Sequence, residues 1–235
     1  FFFKQTTPYE ILSGLVGSEM CIRDRYGTVS GTHRPRHPTS RMTIHPAAAE
    51  TDWSLHEGWL KPELARHWQT QLEHQLQWEQ PVVQVYGKRH PVPRMTVFLA
   101  NEGIHYRYSG AIHTGDGWPA WFKPLLQQVN EACETIFNGC LLNWYRHGDD
   151  RMGWHADDEP EIDQRAPIAS LSLGATRDFQ LRHRSTTHIK MSLPLADGDL
   201  LVMHPGCQSR WMHSVPQRRK VQSTRINLTF RRFQN

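Results

Sequence analysis

From Cys140 to its end the chain is cut into short apolar or alternating runs, at 140–146, 168–174, 177–182, 189–193, 199–203, 211–214 and 225–232. Gly, Asp and Pro separate them. Runs this short, with a period of two, suit β-strands and are too brief for buried helices. So many strands in so little chain must close on one another to bury their apolar faces. Upstream the period changes. Pro62 to about Trp78 carries Leu64, Trp68, Leu72 and Leu76 four residues apart, an amphipathic helix. Trp118 to Phe137 is read as a second helix with Phe122, Leu125, Leu126, Val129, Cys133 and Ile136 as its buried stripe. Pro81 to Tyr86 is strand-like and Gly87-Lys88 a turn. Two helices followed by many short strands predict an α+β chain, a double-stranded β-helix (jelly roll) core backed by N-terminal helices.

At 235 residues the chain is long enough for one sizeable core. The 38% hydrophobic and 21% charged content reads as globular, and no apolar run approaches the ~20 residues of a membrane span. Cys21, Cys133, Cys140 and Cys207 show no C-x-x-C spacing, which suits a reducing compartment: the cytoplasm of a bacterium or the nucleus of a eukaryote. Residues 1–25 (FFFKQTTPYEILSGLVGSEMCIRDR) have no signal-peptide or amphipathic logic and resemble translated sequencing-adapter read-through, so they are excluded from the fold. Residues 26–50, rich in Thr, Pro, His and Arg, are expected to be a disordered lead, with Met42 a candidate start. Residues 51–235 are expected to form a single domain.

Within that domain His155-Ala156-Asp157 and the distant His213 stand out. On an extended strand positions i and i+2 point the same way, so His155 and Asp157 reach one metal, and folding must deliver His213 from another strand. Two imidazoles and a carboxylate are the facial triad of non-haem Fe(II), which leaves coordination positions open for a co-substrate and O2. Downstream, Arg225, Asn227, Thr229 and Arg231 alternate in phase through an apolar run. A guanidinium on such a face is costly unless it grips a carboxylate through two parallel hydrogen bonds. A dicarboxylate such as 2-oxoglutarate fits.

The ordered set Asn143-Trp144-Tyr145, His155-Ala156-Asp157-Asp158-Glu159, His213 and Arg225-Ile226-Asn227-Leu228-Thr229-Phe230-Arg231 resembles the AlkB-type Fe(II)/2-oxoglutarate dioxygenases. It is most similar to the branch that repairs alkylated bases in double-stranded DNA. Pro167–Arg184 and the 193–201 run extend the resemblance, which covers roughly residues 81–233. It implies iron held by His155, Asp157 and His213. It further implies one 2-oxoglutarate carboxylate held by Asn143, Tyr145 and Arg225, and the other steadied by Asn227 and Arg231 with Thr229 alongside.

Substrate features are fewer. Tyr106 and Tyr108 share a strand face and can form a wall for a flipped base; Asp158-Glu159 can read the cationic edge of a damaged one. Val85-Tyr86-Gly87, with Lys88, resembles the hairpin finger that fills the gap a flipped base leaves, with tyrosine where the family more often has phenylalanine. The net charge of +4 favours phosphate, and Lys88-Arg89-His90, Arg182-His183-Arg184 and Arg218-Arg219-Lys220 are expected in or near loops that meet it. The expected partner is DNA, bound by a monomer and demethylated at 1-methyladenine or 3-methylcytosine. The alternatives are the same chemistry on RNA or a protein side chain, and a cupin-like metal-binding module without turnover.

Overall fold

The computed structural model describes residues 52–108, 110–185 and 191–234. The segments expected to be adapter-derived (1–25) and disordered (26–50) lie outside the described residues, as does the side chain of Val85. Strand β1 (Trp53–His56) and helix α1 (Pro62–Gln75) open the described chain. The hairpin β2 (Val82–Val85)–β3 (Lys88–Pro91) follows, then β4 (Met95–Ala100) and a second hairpin, β5 (His105–Tyr108)–β6 (Ala111–Thr114). A 3-10 turn (Ala120–Phe122) leads into α2 (Lys123–Ala132). Strands then dominate: β7 (Gly139–Tyr145), β8 (Met152–His155), β9 (Ile168–Gly174), β10 (Arg177–His183), β11 (Met191–Leu195) and β12 (Leu200–Met203). A single helical turn, α3 (Cys207–Arg210), precedes β13 (Trp211–Val215) and β14 (Arg225–Arg231).

Beside the two hairpins, two larger antiparallel sheets form among the described residues. The larger runs β1-β12-β9-β14-β7-β4 and the smaller β11-β10-β13-β8, giving the expected jelly roll. Period-two alternation sorts the larger sheet's side chains into two layers. Ala169, Leu171, Leu173, Ile226, Leu228 and Phe230 face the helices, where Ala65, Trp68, Leu72, Phe122, Leu125 and Val129 cover them. Burying each large apolar side chain contributes about 1.5–3 kcal/mol, so this layer anchors the sheet. The opposite face, with Leu141, Tyr145, Ile168 and Leu201, meets Phe179, Leu181, Leu193 and Val215 of the smaller sheet. Arg225, Asn227, Thr229 and Arg231 point into this second layer and are all buried.

Several expectations need correction. Helix α1 stops at Gln75, because Leu76 is extended, and its stripe is Ala65, Trp68 and Leu72 while Leu64 stays 46% exposed. A spacing of four drifts around a helix with 3.6 residues per turn, which carries Leu64 off the buried face. Helix α2 ends at Ala132, and Ile136 lies beyond it at 76% exposure. Strands β1 and β4, not read from the sequence, supply both edges of the larger sheet. The first turn falls at Tyr86-Gly87, both at positive φ (46° and 78°), one residue before the expected Gly87-Lys88, so Lys88-Arg89-His90 start β3 next to that turn. Arg182 and His183 end β10, next to the turn at 184–185, as expected of a cluster in or near a loop.

Candidate metal and co-substrate site

Neighbouring strands of the smaller sheet bring the two histidines together: His213 on β13 pairs directly with His155 at the end of β8. Their ring centroids are 4.2 Å apart, and Phe179 stacks on His213 at 5.0 Å. Asp157 is not on a strand, since β8 ends at His155. Even so, one ligand atom from each of His155, Asp157 and His213 lies within 4.8 Å of the others, and all three residues are buried. The donors are in the right state for a cation. His155 donates from Nδ1 to the Gly153 carbonyl (2.8 Å), which leaves Nε2 as the lone-pair nitrogen. Burial pushes the His213 imidazole down to about 3, with His155 adding to the effect, so both rings are neutral at pH 7. Burial works against the Asp157 carboxylate, but Arg231 and the two imidazoles outweigh it and hold it down at about 2. Arg231 donates to Oδ2 from Nη2 (2.8 Å) and Nε (3.2 Å), while Oδ1 faces His155 Nε2 at 3.8 Å.

Beside this cluster the face of β14 forms a connected polar row. Arg225 Nη2 donates to Asn227 Oδ1 (2.7 Å) and Ser172 Oγ (2.8 Å), Ser170 Oγ also donates to Asn227 Oδ1 (3.0 Å), and Asn227 Nδ2 donates to Thr229 Oγ1 (2.9 Å). Asn227 is thus the hub of the row. Arg225 is 1% exposed, yet its Nε and Nη1 have no hydrogen-bond partner, and neither has Nη1 of Arg231. Burial lowers the Arg225 guanidinium to about 10, which still leaves it cationic at neutral pH. An unpaired buried charge costs several kcal/mol, so these donors call for an anion with several carboxylate oxygens. The donor set and the free guanidinium atoms fit Fe(II) and 2-oxoglutarate.

The expected companions lie here too. Tyr145 pairs in register with Arg225 and has that guanidinium 5.3 Å from its ring centroid. Asn143 accepts from Arg94 Nε at 2.8 Å. Tyr106 and Tyr108 stack on each other with centroids 5.8 Å apart, both nearly fully buried. Arg231 lies 5.7 Å from the Tyr106 ring. The two phenols diverge: Tyr106 donates to Glu159 Oε1 (3.1 Å), whereas Tyr108 bonds Arg94. Burial and the adjacent Asp157 raise the Glu159 carboxyl to about 7, and its Oε2 is buried without a partner. Asp158, expected to act with Glu159, instead turns outward to Arg184. The finger residue Tyr86 is 89% exposed at the tip of the β2–β3 hairpin.

Sequence reasoning missed Arg94, Ser170, Ser172, Arg177 and Gln208. The serines had a signal, since they alternate with Ala169, Leu171 and Leu173 on a strand and so point inward with Asn227. Arg177, 2% exposed, donates to the carbonyls of Asp150 (2.8 Å) and Pro216 (2.7 Å) with its guanidinium 5.6 Å from the Tyr145 ring; nothing local marks that role.

A jelly roll holding two histidines and a carboxylate between its sheets, with the uncompensated Arg225 and a free Arg231 nitrogen alongside, defines a non-haem iron oxygenase that takes a 2-oxo acid. Comparison with known proteins agrees: residues 52–231 match the family model of the 2OG-Fe(II) oxygenase superfamily, and the chain belongs to that family. Its cofactors are accordingly Fe(II), 2-oxoglutarate and O2. The chain is 40% identical over 158 residues to the mouse (Mus musculus) protein named DNA oxidative demethylase ALKBH2, covering 64% of this chain and 66% of that one. It is 31% identical over 204 residues to mouse alpha-ketoglutarate-dependent dioxygenase alkB homolog 3, covering 82% and 66%. The chain thus spans just under two thirds of the length of either relative. Among solved structures it is similar in fold to OsALKBH1, with a TM-score of 0.54 at 19% identity over 79% of this chain and 99% of that one.

Proposed function

We propose that the chain is an oxidative demethylase of N-alkylated bases in DNA, of the 1-methyladenine and 3-methylcytosine type, with residues 51–235 as its catalytic unit. The observation that carries the reading is the pairing of the buried His155–Asp157–His213 cluster with the unpartnered Arg225 and Arg231 donors. The sequence similarity to the mouse demethylase supports the DNA substrate.

His155 Nε2, His213 and Asp157 Oδ1 hold the metal. Arg225, Asn143 and Tyr145 take the distal carboxylate of 2-oxoglutarate, and Arg231 with Asn227 and Thr229 the one lost as CO2. Bound Fe(II), 2-oxoglutarate and O2 supply the oxidising chemistry: the N-methyl carbon gains a hydroxyl and leaves as formaldehyde, while the co-substrate becomes succinate and CO2. The protein's share is positioning. Arg231 fixes the Asp157 carboxylate, Tyr106 and Tyr108 wall the base, and Glu159 beside them complements a cationic ring. Tyr86, exposed at the hairpin tip, would fill the gap an extruded base leaves and offset part of an unstacking cost of about a few kcal/mol. All these groups come from one chain, so a monomer suffices. No helix among the described residues is long and apolar enough to cross a membrane. We place the enzyme with its substrate, in the bacterial cytoplasm or the eukaryotic nucleus.

The test is to incubate the chain with Fe(II), 2-oxoglutarate, ascorbate and a duplex bearing 1-methyladenine, and to measure formaldehyde and restored adenine. Repair that disappears in Asp157→Ala is the expected result. Succinate without repair would discard the DNA substrate and turn attention to RNA or protein side chains.

A further inference from the structure

Asp157 is the proposed metal ligand that sheet pairing does not hold. Strand β8 ends at His155, so Ala156 and Asp157 carry no ladder hydrogen bonds. Two glutamines supply them instead. The Asp157 peptide N–H donates to Gln208 Oε1 at 2.9 Å, and Gln164 Nε2 donates to the Asp157 carbonyl at 3.1 Å. Of the two, Gln208 is the better anchor. It is 5% exposed, whereas Gln164 is exposed and also shared with the Ile162 carbonyl (3.4 Å). Gln208 is itself tied by Nε2 to Met203 Sδ at 3.3 Å, at the end of β12. It sits on α3, the single turn that runs directly into the strand bearing His213.

We infer that Gln208 is a positioning residue for the metal carboxylate, fixing the Asp157 peptide while Arg231 fixes the side chain. The inference rests on the metal site proposed above. Beside the exposed Gln164 bond to its carbonyl, two buried contacts then set where Asp157 Oδ1 points. Arg231 holds Oδ2 from the larger sheet, and Gln208 holds the backbone from the segment that delivers His213. Loss of the Gln208 acceptor leaves a buried N–H without a partner, and the peptide tilts to find one, taking Oδ1 out of line with the imidazoles. Groups that orient metal ligands in this way typically matter by about 10- to 100-fold in affinity.

The experiment measures Co(II) affinity anaerobically through its ligand-field absorption, alongside Tm, for the parent chain, Gln208→Met, Gln208→Asn, Gln208→Glu and Asp157→Ala. Methionine keeps the length without a carbonyl acceptor, asparagine withdraws the acceptor by about one C–C bond, ~1.5 Å, and glutamate keeps an acceptor oxygen in place. Met and Asn variants are expected to bind Co(II) about tenfold or more weakly with altered absorption bands, and Glu to within about threefold of the parent. Parental affinity in Gln208→Met and Gln208→Asn, or equal weakness in Gln208→Glu, would overturn the inference while loss in Asp157→Ala keeps the metal site. Parental affinity in Asp157→Ala would overturn the metal site itself. A purely packing role would lower Tm and leave the affinity and spectrum of the folded protein unchanged.

Discussion

Arg225 shows how a fold can hold one side chain in an unfavourable state. It is fully buried and positively charged, with two of its three nitrogens unpartnered. No carboxylate ion pair involving it occurs among the described residues. A dicarboxylate entering beside it gains a charge-assisted contact that water cannot match in that setting. Arg225→Met should therefore leave Mn(II) binding intact, since the triad is untouched. It should remove the thermal stabilisation that 2-oxoglutarate gives the Mn(II)-loaded protein. At 100 times Kd that stabilisation amounts to about 2.7 kcal/mol, or roughly 5–10 °C in a domain of this size. A thermal melt with and without 2-oxoglutarate reads it directly, and a shift that survives in the variant would remove Arg225 from the co-substrate site. Ligand-free stability should change little, because exchanging a buried charge for an apolar side chain of similar reach is often neutral or favourable.

The β2–β3 hairpin is an element that gives no described residue to either core cluster. Its turn residues Tyr86 and Gly87 both sit at positive φ, the type that matches the right-handed twist of the flanking strands. Glycine takes that conformation without strain, whereas for Tyr86 it costs roughly 1–2 kcal/mol. The hairpin thus accepts strain to project an almost fully exposed ring. Tyr86→Ala is expected to leave Tm unchanged and to slow repair in duplex DNA about tenfold, while repair in single strands is retained. Equal loss on both substrates would contradict a finger role. Strand β14 is the opposite kind of element. Its alternation was legible in the sequence, because Ile226, Leu228 and Phe230 could only face the helices, leaving Arg225, Asn227, Thr229 and Arg231 inward. Strands β1 and β4 were not legible: each lies at an edge of the larger sheet, where only one side is paired and the local pattern is weaker.

At the scale of the whole molecule, two of the crossovers that join the sheets, 146–151 and 216–224, link β7 to β8 and β13 to β14. They bind each other through Gly148 N–H to the Val221 carbonyl and Arg218 N–H to the Gly148 carbonyl, both at 2.7 Å, and Arg177 bonds carbonyls in both. A methyl group on Gly148 would meet the Arg218 carbonyl oxygen at 1.7 Å, and backbone cannot yield as a side chain can. Gly148→Ala should thus cost about 1–3 kcal/mol by forced repacking, measured as a lower urea midpoint. It should also raise KM for 2-oxoglutarate, because Arg177 and Tyr145 lean on the same clasp; an unchanged midpoint would show that the crossovers give way freely. The sequence by itself determined the jelly roll, the candidate metal trio and the arginine face, since strand periodicity and ligand chemistry are local properties of the chain. Only the tertiary structure decided that Asp157 is held off the strand by Gln208, that Asp158 turns away while Glu159 turns in, and that Arg94 joins Asn143 to Tyr108. Those choices depend on which buried polar group finds a partner, and the partners are far apart in the chain.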